Sequence, residues 1–304
     1  TVTFDSNGGS AVKAQTVRSG AKATKPSDPT KANLSFVGWY ADKALKKPYN
    51  FNSVITSNVT LYAKWGAVTA ILYSDGLLSI QLGDDVDSSH GHVVQKWTDL
   101  SQATVFWKRA SEVKSVVVRD RLKLDYLGSL FWGMSNCRMM DLSKLDVSGV
   151  ENFAYMFNDC EALSELNLTG WDVSSAKVFA GMFQGCAALT AIDIREWAPA
   201  RPEDLGYMFS GCMRLSDLRL PAWDTSRVTD FGGMFSDCRS LGSFDLSGWD
   251  TSNGDDFEYM FWHCVSIQKL DLSSFDMSNA KTVSQMSAYC SSLQELNLSG
   301  WSTS

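Results

Sequence analysis

Three histidines are all that this 304-residue chain offers for proton transfer near neutral pH. His90 and His92 share a stretch with Asp84, Asp85 and Asp87. In an extended chain their H-x-H spacing turns both rings the same way, as metal ligands require. A polar cap loop turning at Gly91 accounts for the same residues more simply, and no metal ligand is assigned there. His263 lies far along the chain. None of G-x-S-x-G, H-E-x-x-H, G-x-x-x-x-G-K or G-x-G-x-x-G occurs, so hydrolase, metalloprotease and nucleotide sites lack their sequence signatures. The 34 Asp and Glu are spread evenly enough that no pair is singled out for acid–base work. A protein without catalytic activity or cofactor is expected.

Cysteine carries the other possible chemistry. Cys160, Cys186, Cys212, Cys238, Cys264 and Cys290 stand 26 residues apart, with Cys137 ahead of them. Seven is an odd number and no C-x-x-C pair is present, which disfavours both metal sites and full disulfide pairing. If each cysteine ends a helix, neighbouring helices lie further apart than the roughly 4.4 to 6.8 Å between Cα atoms that a disulfide accepts. Buried thiols used as small apolar groups are expected.

The elements that position these residues repeat with the cysteines. MFSGCMRLSDLRLPAWDTSRVTDFGG from Met208 is followed by MFSDCRSLGSFDLSGWDTSNGDDFEY from Met234. A period of this size marks a solenoid. Phe231, Met234, Phe235 and Cys238 fall at i, i+3, i+4 and i+7, and Phe179, Met182, Phe183 and Cys186 repeat the pattern, which predicts a short helix running into each cysteine. Leu241, Phe244 and Leu246, like Leu215, Leu218 and Leu220, predict a strand. The W-D-x-S run of Trp223, Asp224 and Ser226, or Trp249, Asp250 and Ser252, turns the chain by bonding nearby backbone. One such unit cannot bury both its faces, so neighbours must stack.

The sequence M-F-x-x-C-x-x-L-x-x-L-D-L-S-x-W-D-T-S resembles the 26-residue repeat of bacterial surface proteins related to the BspA-like leucine-rich repeats, over residues 127–304. The resemblance implies a right-handed leucine-rich-repeat solenoid in a secreted or wall-associated, adhesin-like protein. Ala198 and Pro199 replace the D-x pair in one repeat, with Pro202 following. The unit around Cys137 reads as three residues short.

Residues 1–66 read as a separate module. Val2-Thr3-Phe4-Asp5, the Asn7-Gly8-Gly9 turn, Phe36-Val37-Gly38-Trp39-Tyr40 and Thr60-Leu61-Tyr62-Ala63-Lys64-Trp65 together resemble the internalin-type B-repeat, or Listeria-Bacteroides repeat. That resemblance implies a β-grasp-like domain of the kind found in surface-protein stalks. Val12 to Val17 is expected to return as a strand. Residues 67–126 are expected to hold a hairpin, Val68 to Tyr73 and Leu77 to Leu82 around Asp75-Gly76, and to cap the solenoid with its first irregular layers. The expected fold is thus an α/β leucine-rich-repeat-like solenoid of 26-residue strand–helix repeats with a small N-terminal β-grasp-like domain.

Charge divides unevenly. Residues 1–66 hold nine Lys and Arg against three Asp, a balance of +6, leaving 18 against 31, or −13, for the rest. An acidic solenoid disfavours nucleic acid and anionic membranes as partners. No stretch reaches 18 consecutive apolar residues, so no transmembrane segment is expected. The chain begins at Thr1 without a signal peptide and stops just past a repeat turn, as a fragment of a longer exported protein would.

Two surfaces are candidates for binding an extracellular protein or glycan. Between the buried leucines of the strands stand Glu165, Ala191, Asp217, Ser243, Lys269 and Glu295 and, two along, Asn167, Asp193, Arg219, Asp245, Asp271 and Asn297. They form either a solvated ladder or a display face. On the other side Trp262, beside His263 and near Tyr259 and Tyr289, replaces the Asn158, Gln184, Ser210, Ser236 or Ala288 of other repeats. It marks a partner site or a contact with another element. Trp171, Trp197, Trp223, Trp249 and Trp301, with Phe275, read as a packed spine. The expected protein is a bacterial cell-surface adhesin, with a structural spacer as the alternative.

Overall fold

A computed structural model of the chain describes residues 1–32, 34–100, 103–124, 126–243 and 245–301. Phe244, expected on a strand, and Ser304, at the last repeat turn, lie outside the described residues. The strands are β1 (Val2–Asp5), β2 (Leu34–Tyr40), β3 (Val59–Tyr73), β4 (Leu77–Leu82), β5 (Val93–Trp97), β6 (Ser115–Val118) and β7 (Leu122–Lys123). They continue as β8 (Met139–Asp141), β9 (Leu145–Asp146), β10 (Glu165–Asn167), β11 (Ala191–Asp193), β12 (Asp217–Arg219), β13 (Lys269–Asp271) and β14 (Glu295–Asn297). Two 3-10 helices, Ser88–His90 and Ala103–Glu112, are the helical content among the described residues.

The long β3 joins the two ends of the design. Its first half pairs in parallel with β1 and antiparallel with β2, and its second half pairs antiparallel with β4 and β5. Residue 66, expected to end a module, therefore lies inside one strand. Val2, Phe4, Trp39, Leu61 and Ala63 close a small core of their own at that end. Among the described residues Val12 to Val17 contributes a single bridge, Val2 to Gln15. The Gln15 side chain instead bonds both backbone groups of Thr24, which ties this segment to the next loop rather than to a ladder. The expected hairpin around Asp75-Gly76 is β3–β4, and β6 and β8 extend the same sheet towards the repeats.

Within the repeats, strands pair in parallel with their equivalents 26 residues on, Met139 with Glu165, Ala191 with Asp217 and Lys269 with Glu295. The helices expected before each cysteine are absent among the described residues, which corrects the α/β expectation to a mostly-sheet chain. Tyr155 and Asp159 have φ of 56° and 58°, Tyr207 and Gly211 55° and 73°, Tyr259 and His263 56° and 58°. No right-handed helix accommodates left-handed residues four apart. The backbone instead alternates its bonds. Tyr155, Phe157 and Asp159 donate to Ala180, Met182 and Gln184 of the next layer at 2.8–2.9 Å, while Met156 and Asn158 close turns onto Phe153 and Tyr155. The expected apolar face survives, because Phe153, Met156, Phe157 and Cys160 are all fully buried. Spacing of i, i+3, i+4, i+7 fits a spiral of tight turns as well as a helix.

The first repeat is of full length. Ser129, Phe131 and Gly133 bond Ala154, Met156 and Asn158, the same relation that Tyr155, Phe157 and Asp159 have to the following layer. Met134 therefore takes the cysteine position and Cys137 the leucine position, and the apparent shortening came from matching cysteine to cysteine. Aromatic rings form the axis of the core. Phe131, Phe157, Phe183, Phe209, Phe235 and Phe261 stack in succession with centroids 5.6–5.9 Å apart. Trp171 and Trp197 stack at 6.0 Å as part of the expected spine. Every cysteine is a free thiol. Those from Cys160 to Cys290 do more than fill space, each donating from Sγ to the phenylalanine carbonyl 29 residues earlier at 3.0–3.2 Å.

Candidate binding surfaces

Three-residue strands alternate out–in–out, so each sets two side chains on the surface. Glu165, Asn167, Asp193, Asp217, Arg219, Lys269 and Asp271 are all exposed on these strands, each strand in register with its paired neighbour, and Asp245 is exposed between β12 and β13. Many of their charges are already engaged. Arg195 donates to both oxygens of Asp193 at 3.0 and 2.7 Å, and this pairing holds the Asp193 carboxyl down at about 2. Arg219 does the same to Asp217, both at 3.0 Å, and approaches Asp193 to 3.7 Å. Lys269 reaches Glu295 of the next layer at 2.7 Å. The second column also closes turns: Asn167, Asp245 and Asp271 accept the amides of Thr169, Ser247 and Ser273 at 2.9–3.1 Å. The Ser247 and Ser273 groups hold the two carboxyls below their ordinary range. Such residues serve the fold and the surface together.

One opening breaks this face. β10 pairs with β8 and β11 with β12, and between β10 and β11 lies a cleft of about 540 Å³. Leu166, Leu168 and Ile192 form its apolar wall, and Asn167, Asp193 and Arg195 stand among its polar groups. The sequence marks this repeat by Ala198 and Pro199, yet nothing in it announced the cleft.

The opposite, turn-lined face carries the aromatic group. Trp262 meets His263 at 5.1 Å and Tyr289 at 5.8 Å, edge to face, and Tyr259 at 6.5 Å. His263 Nδ1 lies 2.7 Å from Asp237 Oδ1, near enough to pair when protonated but off the line of a hydrogen bond. Arg239 Nε also reaches that oxygen at 2.8 Å. All four expected residues thus come together. Sequence reasoning missed their counterpart: Trp132 occupies the Trp262 position in the first repeat and packs against Trp107 at 4.5 Å and 85°. Matching phenylalanine to phenylalanine instead of cysteine to cysteine would have found it.

The two left-handed columns explain what else sits here. Tyr155, Gly181, Tyr207, Gly233 and Tyr259 alternate in one of them. A Cβ on Gly181 would come within 2.4 Å of the Tyr155 ring, and one on Gly233 within 2.3 Å of Tyr207, so each tyrosine lies where the next layer has no side chain. Beside them Asp204, Asp230 and Asp256 bridge in register. Burial raises the Asp204 carboxyl and, with its neighbours' charges, lifts Asp230 to about 6.

The His90 loop gathers no ligand set. His90 Nδ1 lies 2.8 Å from Asp75, Asp84 pairs with Lys96 and Asp87 with Arg119. Among the described residues no group of three or more His, Cys, Asp and Glu is placed to hold a metal ion. No helix among them is long and apolar enough to cross a membrane.

Comparison with known proteins bears on both ends. Residues 1–64 match the Listeria-Bacteroides repeat domain. Residues 100–218 and 188–301 each match a family described as "Mycoplasma protein of unknown function, DUF285". Two proteins of Evansella cellulosilytica are similar to parts of the chain. One named "Putative membrane protein" is 34% identical over 106 residues, 34% of this chain and 15% of its own length. One named "Putative Gly-rich membrane protein" is 42% identical over 66 residues, 21% of this chain and 8% of its own length. The chain thus spans a small share of these relatives. A leucine-rich repeat protein from Eubacterium ventriosum overlaps at 11% identity and a TM-score of 0.24, covering 76% of this chain and 82% of that one. A leucine rich cell surface protein from Faecalibacterium prausnitzii overlaps at 14% identity and a TM-score of 0.21, covering 79% and 94%.

Proposed function

The chain belongs to the family described as "Mycoplasma protein of unknown function, DUF285", and from that premise we infer that it is a bacterial cell-surface adhesin whose stacked repeats display binding surfaces to an extracellular protein or glycan. One observation carries the reading: a rigid stacked core holds exposed side chains in register on two faces, and one of those faces opens into a cleft lined by apolar and charged groups. The Listeria-Bacteroides repeat ahead of it and the membrane-protein names of the relatives support an extracellular, wall-associated setting. Within this reading residues 127–304 are a BspA-like leucine-rich-repeat solenoid, residues 67–126 its cap, and residues 1–66 a β-grasp-like stalk module. Its work is binding, not catalysis.

A spacer role is the second reading, and the internal pairing of Asp193, Arg195, Asp217 and Arg219 favours it, because paired charges are poor anchors for a ligand. An array of extracellular proteins and glycans separates the two. Probing it with the intact chain, a Trp262→Ala/Tyr289→Ala variant and an Asp217→Lys/Asp245→Lys variant should give a saturable ligand lost in one variant. Silence throughout would sink the adhesin and leave the spacer.

A further inference from the structure

Exposed aromatic side chains run along the turn-lined face from the cap to the last layers. Trp107 and Trp132 begin the row, Tyr155 and Tyr207 continue it at 44% and 39% exposure, and half-buried Tyr259 and Trp262 lead to exposed Tyr289. The tyrosines recur every second repeat, 52 residues apart, with Gly181 and Gly233 between them. Parallel layers lie about 4.8 Å apart, so successive tyrosines stand ~10 Å apart along the stack. Because the Tyr155 ring lies over Gly181 and the Tyr207 ring over Gly233, the row presents one ring for every two layers, with the Gln184 side chain beside Gly181.

A ligand for such a row must be linear, must present an apolar face once per two layers, and must tolerate acidic neighbours. Asp230, Asp256 and Glu258 are near enough to Tyr207 for their charges to act on its hydroxyl. Their oxygens accept hydrogen bonds from hydroxyl groups and repel anionic polymers. In a β-1,4-linked glucan each sugar is turned by about half a turn from the last, so the same C–H face returns every second unit, at the length of two layers. Aromatic rings pack well against such faces. An α-1,4-linked glucan coils away from a straight row, and an N-acetylated polymer asks for donors where this surface offers acceptors.

We propose that the turn-lined face binds an extended β-1,4-linked glucan, one disaccharide for each tyrosine of Tyr155, Tyr207 and Tyr259. The proposal deepens the adhesin reading and rests on it. Calorimetric titration of the full chain with cellotetraose, cellohexaose, maltohexaose and chitohexaose tests it. Cellohexaose should bind at least about ten-fold more tightly than the other three, since cellotetraose reaches one ring fewer, maltohexaose coils away from the row, and chitohexaose, though as long and straight, carries N-acetyl groups towards acidic neighbours. A Tyr155→Asn/Tyr207→Asn variant should lose at least about ten-fold for cellohexaose with its circular dichroism unchanged, asparagine being chosen because it tolerates the left-handed backbone at both positions. No cellohexaose binding, equal binding of maltohexaose or chitohexaose, or full affinity in the folded double variant would overturn the proposal. Should the variant not fold, ring resonances of the unaltered protein decide: cellohexaose must shift those of the tyrosines, and shifts confined to strand-face residues refute it. A protein ligand found on the array alongside silence from the glucans would remove this inference and leave the adhesin standing, whereas silence in both would remove both.

Discussion

Asp230→Asn isolates what a column of stacked carboxylates does to stability. Parallel bridges set Asp204, Asp230 and Asp256 side by side, about one layer of 4.8 Å apart. Each has one amide to itself, from Gly206, Gly232 and Glu258 at 2.8–2.9 Å, and little else to offset partial burial. Burial first, and then the charges of Asp204, Asp256 and Asp255, raise the Asp230 carboxyl from the ordinary 3.8 to about 6 against the lowering effect of the Gly232 amide. An acid whose pKa is higher folded than unfolded binds its proton more readily in the folded state. Its favourable contribution is therefore complete below about pH 4 and lost as the pH rises through about 6. A shift of this size corresponds to ~3 kcal/mol at full strength. The side chain is only partly buried, and solvent screening reduces the expected effect to about 1 kcal/mol. Asparagine keeps the amide bond, as Asn152 shows at the equivalent position by accepting from Ala154 at 2.8 Å. Urea unfolding followed by tryptophan fluorescence should therefore find Asp230→Asn more stable than the parent by about 1 kcal/mol at about pH 7.5, and no more stable at about pH 4. A variant destabilised at the higher pH, or a difference independent of pH, would refute the reasoning.

Other outcomes follow from the same geometry. Gly233→Ala places a Cβ 2.3 Å from the Tyr207 ring at a φ of +57° and should cost about 2 to 3 kcal/mol in denaturant unfolding, with part recovered when Tyr207→Asn is added. Phe209→Ala opens a hole in the middle of the ring stack, between Phe183 and Phe235, and should lower stability by about 3 to 5 kcal/mol in the same assay. Burial pushes the thiols of Cys137, Cys212 and Cys264 up to about 12, so a thiol reagent should reach half-buried Cys290 first and all seven groups only on denaturation. Fewer than seven without reductant would show a disulfide.

Sequence alone determined the period, the buried positions and the stacking, because a side chain that must be apolar in every layer recurs every 26 residues whatever backbone carries it. It also placed Trp262, His263, Tyr259 and Tyr289 in one neighbourhood and Asp193, Asp217 and Arg219 on one exposed face, since residues a full period apart become neighbours in any stack. Only the tertiary structure decided that the segment before each cysteine is a ladder of turns. Helix and turn spiral bury the same spacing, and the choice rests on left-handed backbone at Tyr155, Asp159 and their equivalents, paired to the next layer by hydrogen bonds that no local pattern displays. The same bonds, not the cysteines, set the register of the first repeat and so brought Trp132 into line with Trp262. The cleft between β10 and β11 was likewise beyond the sequence, because whether two layers close against each other depends on pairing between chain segments, and a repeat motif reads alike on either side of the gap.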